Sequence, residues 1–211
     1  MTLPRFYPIL DTGLLARHGF DPAAAAIALL EGGARILQFR HKGHYSRDVF
    51  TQAQTIAGHC RSAGTQFVVN DRADIAALLQ AGLHLGQDDL PPADARRIMG
   101  GSPIGFSTHN SGQFLAALTE PVDCIALGPI FATNSKDNPD PVVGLDELKR
   151  LAALKRHPLI AIGGITLESA QEVWRAGADS IAVIGALLDG GASKSALRSR
   201  AEEWLWYSRQ N

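Results

Sequence analysis

The sequence predicts an α/β protein with one domain over residues 1–211, folded as a (β/α)8 barrel (TIM barrel). Short apolar runs alternate with longer Ala-rich or Leu-rich stretches of helical spacing, a pattern typical of parallel strands joined by crossover helices. Eight such pairs fit into 211 residues at about 26 residues each, which favours a closed barrel over a doubly wound sheet of five or six strands. Gly and Pro are spread along the chain, and no low-complexity or single-sign charged tract divides it.

The element boundaries follow from the apolar runs and the helical spacing between them. The predicted strands are Phe6–Leu10, Ile36–Arg40, Phe67–Asn70, Leu83–Leu85, Ile104–Ser107, Cys124–Leu127, Leu159–Ile162 and Ser180–Ile184. The predicted helices are Pro22–Glu31, Ser46–Ala63, Ala73–Leu79, Pro91–Met99, Ser111–Leu118, Leu145–Leu154, Leu167–Ala176 and Ser193–Tyr207. Ala-Gly pairs such as Ala63-Gly64 are expected to end helices, because Gly tolerates the positive φ found just after a helix.

Composition excludes several classes of function. Twenty Lys and Arg against 21 Asp and Glu give a net charge of -1, so no basic field favours nucleic acid. The longest apolar run, Ala23–Leu30, is far shorter than the roughly 20 residues of a membrane-spanning helix, and the N-terminus does not resemble a secretory signal. Cys60 and Cys124 lack the spacing of a zinc site or a disulfide framework. We therefore expect a cytoplasmic protein with buried thiols and no nucleic-acid or membrane partner.

The second predicted strand ends in a run of polar residues. Alternation along the strand places Gln38, Arg40 and Lys42 on one face. Phe39 and His41 point to the opposite face. Reacting groups of a barrel lie at the C-terminal ends of its strands. A lone Arg there would more often be a solvated strand end, but three polar groups on one face favour an anion site.

Carboxylates follow the third and fourth strands. Asp71 comes directly after the third strand, and Asp88 and Asp89 follow the fourth. Two carboxylates from neighbouring strands beside cations fit Mg²⁺ that bridges protein oxygens and a polyphosphate. One of the two consecutive Asp residues can instead cap the helix predicted to start at Pro91. The nearby His84 is interpreted as a partly buried packing residue.

Hydroxyl groups follow the fifth and sixth strands. Ser107 stands near His109, but no G-x-S-x-G elbow or acid partner is indicated, so we expect hydrogen bonding rather than acyl transfer. The loop Gly128–Gly144 is the one long connection without a periodic pattern, and such loops are often functional. It contains three groups suited to phosphate oxygens, namely Thr133, Ser135 and Lys136. An ordinary surface turn explains the same residues about equally well.

Glycines follow the seventh and eighth strands. Gly163-Gly164 and Gly185 stand where these strands pass into helices. Loops at these two positions are the recurrent phosphate site of the barrel fold, because backbone N–H groups can approach an anion there. A Gly-Gly pair alone is weak support, since tight turns also use it. The chain therefore predicts two anion sites on one barrel face, filled by a substrate with two phosphorylated halves.

Several segments, in order and over most of the chain, resemble the thiamine-phosphate synthase family. They are LQFRHKG from Leu37, VNDRADIA from Val69, HLGQDDLP from His84, GFSTHN from Gly105, IALGPIFATNSK from Ile125, AIGGIT from Ala161 and AGADSIAVI from Ala176. The resemblance implies a (β/α)8 fold, Mg²⁺ as cofactor and a transferase reaction on small molecules. In that reaction the pyrimidine methyl pyrophosphate loses pyrophosphate, its methylene ionises, and the nitrogen of a thiazole phosphate attacks without needing a general base.

The resemblance also implies site residues. The pyrimidine pyrophosphate would contact Gln38, Phe39, Arg40, His41, Lys42, Asn70, Ser107 and Lys136, of which Arg40, Lys42, Ser107 and Lys136 would be catalytic. The thiazole phosphate would contact Thr133, Asn134, Ser135, Gly164, Ile184 and Gly185. Asp71 and Asp89 would bind Mg²⁺.

Two of these positions depart from the usual family pattern. His41 stands where the family usually has an acidic residue, and it faces away from the expected site. Gly185 stands where the family usually has Ser. The missing hydroxyl would be worth about 1.5 to 3 kcal/mol if its bond to phosphate were charge-assisted. The thiazole phosphate site is therefore the less complete of the two.

Two alternatives and the oligomeric state stay open at the level of sequence. A thiazole tautomerase relative would use His109 for proton transfer on a thiazole carboxylate phosphate, but it would have no use for the metal carboxylates. A non-catalytic phosphate-binding barrel would not need the cations and carboxylates together. A homo-oligomer is one option, because Trp204, Trp206 and Tyr207 could form an interface, although packing of the last helix on the barrel is the preferred interpretation.

Overall fold

The computed structural model describes residues 3–133 and 140–210. Its strands form a closed barrel of eight parallel strands in which each strand pairs with its sequence neighbours and β1 pairs with β8. They are β1 Phe6–Asp11, β2 Ile36–Arg40, β3 Gln66–Asn70, β4 Gly82–Leu85, β5 Ile104–Thr108, β6 Cys124–Leu127, β7 Leu159–Ile162 and β8 Ser180–Val183. The predicted (β/α)8 barrel is confirmed, and each predicted strand is present with small shifts at its ends.

Helices surround the barrel. They are α1 Thr12–Arg17, α2 Pro22–Glu31, α3 Arg47–Ser62, α4 Ala73–Leu79, α5 Pro92–Met99, α6 Ser111–Ala117, α7 Leu145–Ala152, α8 Leu167–Arg175 and α9 Lys194–Ser208, with a 3₁₀ turn at Gly185–Leu187. Within the described ranges, none of these helices has the length and apolar character needed to cross a membrane.

The sequence did not predict α1. This six-residue helix follows β1 without a connecting loop, and the Asp11 carboxylate accepts a hydrogen bond from the Leu14 N–H at 2.8 Å. An Asp N-cap satisfies a backbone donor that would otherwise lack a partner. The helix is too short to show a clear 3.6-residue period, so only its cap residue could have indicated it.

Two apolar layers hold the fold together. Side chains such as Phe6, Leu37 and Phe39 fill the layer between strands and helices, whereas Tyr7 and Ile9 belong to a smaller cluster inside the barrel. This inside-outside alternation is what the two-residue period of a strand dictates. Both layers are buried.

The last helix, α9, packs against β1 and α2. The Trp204 ring is fully buried and stacks on Phe6 of β1, with ring centroids 5.7 Å apart. At the end of α2, a Cβ on Gly32 would lie 2.6 Å from the Ala201 Cβ, so α2 and α9 approach closely at this glycine. Core packing is confirmed for Trp204, while Trp206 is 58% exposed.

Two matching ion pairs lie at the N-terminal end of the barrel. Asp123, one residue before β6, accepts hydrogen bonds from Arg96 at 2.6 Å and from the N–H of Ile104 at 2.8 Å. Asp179, one residue before β8, accepts from Lys155 and from the N–H of Leu159, both at 2.7 Å. In each case a carboxylate joins the start of the preceding strand to a cation.

Candidate active site

A cavity of about 400 Å³ opens at the C-terminal end of the barrel. Each of the eight strands contributes to its lining, and the interior residues Tyr7, Ile9, Ala126, Ile160 and Ala182 border it from within the barrel. Concave sites at this end of a barrel are where substrates bind in this architecture.

Most of the predicted site residues meet in this cavity. Those that line it are Gln38, Arg40, Lys42, Asn70, Asp71, Ser107, Thr133, Gly164, Ile184 and Gly185. Asn134, Ser135 and Lys136 lie outside the described residues, and their predicted roles stay predictions.

Phe39 and His41 do not line the cavity, contrary to the predicted substrate contacts. Phe39 is fully buried in the layer between strands and helices. The Nδ1 of His41 lies 2.8 Å from Thr12 Oγ1, and its ring meets Tyr45 edge to face. Strand alternation explains both positions, since these side chains leave β2 on the face opposite Gln38 and Arg40.

Arg40 is paired with a carboxylate that the sequence reasoning missed. The Arg40 guanidinium donates to Asp11, whose other carboxylate oxygen caps α1. Asp11 is the last residue of β1 and pairs in register with Arg40 of β2. A carboxylate closing the first strand was a visible signal, because the same pattern identified Asp71 after the third.

The two predicted metal ligands lie together beside Lys42. The Lys42 ammonium donates to Asp71 at 2.6 Å, and the Asp89 carboxylate lies close enough to Asp71 to influence its ionisation. Burial, followed by the contact with Asp89, raises the pKa of Asp71 from 3.8 to about 6, although Lys42 acts in the opposite direction. Asp71 has φ 65°, a conformation that Asp adopts more readily than most residues.

Asp89 is not the cap of α5. Its carboxylate accepts the N–H of Gly86 at 2.7 Å, and α5 starts after Pro91 without a side-chain cap. The alternative in which one of the consecutive Asp residues caps this helix is therefore wrong. Asp89 is instead held beside Asp71 and bonded to Gly86, which lines the cavity, although Asp89 itself does not line it.

The donor set fits Mg²⁺. Two carboxylate oxygens meet where only one cation, Lys42, lies against Asp71 among the described residues. No group of three or more His, Cys, Asp or Glu side chains forms a closed metal cage in the described ranges. Mg²⁺ characteristically uses one or two carboxylates and completes its shell with water and substrate phosphates. An open pair of this kind matches that preference.

Two amide side chains line the cavity, and they differ in their hydrogen bonding. Gln38 Nε2 donates to the Tyr7 hydroxyl at 3.1 Å, and Tyr7, which the sequence reasoning missed, is buried with its pKa raised by desolvation. The Asn70 Nδ2 is buried and has no hydrogen-bond partner among the described residues. A buried unpaired donor is costly, so Asn70 is suited to donate to a ligand in the cavity.

Two histidines occupy different positions at the cavity. His84 is 8% exposed, its Nε2 lies 2.9 Å from Ser107 Oγ, and burial lowers its pKa to about 4, so it is neutral at pH 7. It is thus more than the packing residue that was predicted. The His109 Nδ1 donates to the Gly128 carbonyl at 2.7 Å and lies 3.4 Å from the Asp140 carboxylate.

The glycines after β7 have a packing role of their own. Gly163 and Gly164 have φ of 100° and 66°. A Cβ at Gly163 would lie 2.5 Å from the Pro129 side chain, and one at Gly164 would lie 2.4 Å from the Ala132 carbonyl oxygen. The pair is therefore required for the loops after β6 and β7 to meet. Gly185 begins the 3₁₀ turn on the same side of the cavity.

Comparison with known families and proteins gives one consistent result. The family model for thiamine monophosphate synthase matches residues 6–187. A thiamine-phosphate synthase of Koribacter versatilis is 43% identical, covering 97% of this chain and 96% of that protein. One of Chlorobium phaeovibrioides is 46% identical over 79% of this chain and 80% of its own length.

Solved structures agree with the fold. A thiamine phosphate pyrophosphorylase from Pyrococcus furiosus superposes with a TM-score of 0.84 at 29% identity, covering 98% of this chain and 96% of that one. A tryptophan synthase structure from Mycobacterium tuberculosis superposes with a TM-score of 0.68 at 16% identity, a likeness that concerns the barrel alone.

Proposed function

The chain belongs to the thiamine monophosphate synthase family and is a transferase, and we propose that it joins 4-amino-2-methyl-5-hydroxymethylpyrimidine pyrophosphate to 4-methyl-5-hydroxyethylthiazole phosphate. The products are thiamine phosphate and pyrophosphate. One structural observation supports this assignment most directly. The Asp71 and Asp89 carboxylates meet beside Lys42, next to a 400 Å³ cavity that also contains Arg40.

Charge supports a metal-bound pyrophosphate. The Arg, Lys, Asp and Glu side chains that line the described cavity are those of Arg40 and Lys42 against Asp71, Asp140 and Asp189. A pyrophosphate would meet more carboxylates than cations there, and each of those two cations already has a carboxylate partner. Asp71 and Asp89 would hold Mg²⁺, which would neutralise charge on the departing pyrophosphate.

Arg40 and Lys42 would also bind the leaving group. The C–O bond between the pyrimidine methylene and the pyrophosphate breaks, and the electron pair leaves with pyrophosphate. Positive charge then develops on the methylene, where the electron-rich pyrimidine stabilises it. Fixed cations placed at the departing oxygens stabilise this charge separation more than they stabilise the ground state.

The thiazole nitrogen then forms the new C–N bond. This nitrogen carries no proton, so the step needs no base, and the task of the protein is to hold the nucleophile close to the cation. Thr133, Gly164, Ile184 and Gly185 line the side of the cavity available for the thiazole phosphate.

Coupled product assays test the proposed function. Purified protein is incubated with both substrates, and pyrophosphate and thiamine phosphate are measured with Mg²⁺ and with a chelator. We expect equal amounts of the two products, lost on chelation and restored by Mg²⁺. Absence of both products, with isomerisation of a thiazole carboxylate phosphate instead, would replace the synthase by the tautomerase alternative. Absence of all turnover, with phosphate ligands still bound, would favour a non-catalytic barrel.

Lys136, which lies outside the described residues, is proposed to contact the leaving pyrophosphate. Lys136→Ala should then lower kcat more than it weakens binding of the thiazole phosphate. Steady-state kinetics with each substrate varied in turn measures both effects. If only thiazole phosphate binding weakened, Lys136 would belong to the other half of the site.

We further propose a cytoplasmic location, which the buried free thiols of Cys60 and Cys124 support. A homo-oligomer also stays a proposal. The exposed Trp206 ring, packed edge to face on Tyr207, is the feature that supports it.

A further inference from the structure

One residue of β4 and one of the segment after it contact Ser107, although the transfer reaction described above gives neither of them a role. The His84 Nε2 lies 2.9 Å from the Ser107 hydroxyl oxygen. The Gln87 Nε2 donates to the Ser107 carbonyl oxygen at 2.5 Å. Ser107 is therefore held at its side chain and at its backbone by two residues that lie three positions apart.

A glycine makes the first of these contacts possible. In the β4–β5 register His84 lies opposite Gly105, two residues before Ser107 on the same strand face. A Cβ at Gly105 would lie 2.4 Å from the His84 Nδ1 and 3.1 Å from its Cε1. Only a residue without a side chain lets the ring lie across β5 and reach Ser107.

We propose that His84 and Gln87 are positioning residues of the pyrimidine half of the site, acting through Ser107. The inference rests on the proposed function, which assigns Ser107 to the pyrimidine. If the His84 ring accepts the hydroxyl proton, Ser107 presents lone pairs to the cavity. If the ring donates, Ser107 keeps its proton for the ligand. In both cases the histidine gives the hydroxyl one fixed polarity.

The same segment also reaches the metal carboxylates. Two residues beyond Gln87, Asp89 accepts the N–H of Gly86 and contacts Asp71. One short stretch of backbone therefore carries both sets of contacts. His84 and Gln87 hold Ser107, and Asp89 supplies one carboxylate of the proposed Mg²⁺ site. The segment sets the separation between the group that contacts the pyrimidine ring and the group that binds its pyrophosphate.

A double-mutant cycle tests the role of His84. His84→Ala and Ser107→Ala should each lower kcat/KM for the pyrimidine pyrophosphate by about tenfold. The double variant should lose no more than the larger single loss, because the two side chains act as one unit. KM for the thiazole phosphate should stay at its wild-type value. Losses that multiply to about a hundredfold would overturn the positioning role.

Matched variants separate positioning from packing. Val68 borders the same small internal cavity as His84, and Val68→Ala should lower stability without changing either kinetic constant. Gln87→Ala should lower kcat/KM for the pyrimidine pyrophosphate about fivefold, whereas Gln54→Ala, at an exposed position of α3, should change nothing. Equal kinetic losses in Val68→Ala and His84→Ala would overturn the inference.

A spectroscopic measurement reports on the contact without turnover. The ring ¹⁵N shifts of His84, assigned with His84→Gln, should change in Ser107→Ala and stay unchanged in Gln54→Ala. An active wild-type enzyme with unchanged ring shifts in Ser107→Ala would overturn the positioning role and leave the proposed function intact. A wild-type protein that forms no thiamine phosphate would overturn the proposed function, whatever the ring shifts show.

Discussion

At the N-terminal end of the barrel, Asp123 and Asp179 each accept a backbone N–H and a cation. At the C-terminal end, Asp89 also accepts a backbone N–H and Asp71 also pairs with a cation, Lys42, but here the two carboxylates lie beside each other. The first two carboxylates have their hydrogen-bonding needs met by the protein. The second two share a site where one carboxylate has a raised pKa.

The carboxylates at the N-terminal end of the barrel therefore serve stability, and those at the C-terminal end serve function. The carboxylates at the strand starts hold neighbouring strands in register, and their backbone and cation partners are all supplied by the protein. Two neighbouring carboxylates at strand ends, where Lys42 balances only one negative charge, cost free energy until a further cation balances the other, and such costs are typical of functional sites. Four sets of variants test this division between the two ends of the barrel.

The largest expected effect is at the C-terminal end. Asp89→Ala should lower kcat by about a hundredfold or more and raise the Mg²⁺ concentration needed for half-maximal turnover, because one of the two metal carboxylates is lost. The free energy of unfolding should change by less than about 1 kcal/mol, because the loss of the Gly86 hydrogen bond is offset by the removal of the repulsion between Asp89 and Asp71. Titration of activity with Mg²⁺ measures the first effect. Wild-type turnover in this variant would refute the metal role of Asp89.

The next effect is expected at the N-terminal end. Asp179→Ala leaves the Leu159 N–H without its partner and leaves the Lys155 ammonium with the Gly177 carbonyl but no carboxylate, so the free energy of unfolding should fall by about 2 kcal/mol. Urea unfolding measures this loss, and kcat/KM should stay unchanged. A loss of activity at a temperature where the variant is fully folded would contradict the division between the two ends.

A smaller effect of opposite sign is expected for Asp71→Asn without divalent cations. The pKa of Asp71 is raised from 3.8 to about 6, so its ionised form costs stability above pH 6. Asn removes that cost, and the variant should be more stable than wild type by about 1 kcal/mol at pH 7.5, after allowance for partial exposure. The difference should disappear as pH falls from about 6 to about 4. Lower stability at pH 7.5 would contradict it.

The smallest effect is a coupling free energy. Asp123 and Asp179 serve different strand pairs, β5–β6 and β7–β8, and share no partner. The losses of Asp123→Ala and Asp179→Ala should therefore add to within about 0.5 kcal/mol in the double variant. Urea unfolding of both single variants and the double variant gives the coupling. A larger value would show that the N-terminal end behaves as one connected unit.

The barrel could be predicted from the sequence because its period repeats. Each strand is an apolar run and each long helix shows helical spacing of its apolar residues, so the errors in the elements that were predicted are confined to their ends. The helix α1 was missed because six residues after a strand carry too little periodicity. The 3₁₀ turn at Gly185–Leu187 was missed for the same reason.

The site was predicted only in part because the sequence does not show which side chains contact each other across neighbouring strands. Strand alternation correctly predicted that Gln38 and Arg40 line the cavity. The same alternation places Phe39 and His41 on the opposite face of β2, so it argued against their predicted contacts with the substrate. The partnership of Arg40 with Asp11 depends on the β1–β2 register, which no local pattern reveals. The contact of His84 with Ser107 likewise depends on a glycine on the neighbouring strand.

The closure of the barrel has a consequence for synthesis of the chain. The partners of β1 include β8, and Phe6 stacks on Trp204, which leaves the ribosome roughly 200 residues later. At about 5–20 residues per second, β1 waits about 10 to 40 s for them. During that interval one edge of β1 is an open template for strand pairing. We therefore expect nascent chains that end before α9 to be protease-sensitive and to bind chaperones, and protection to arise abruptly when α9 emerges.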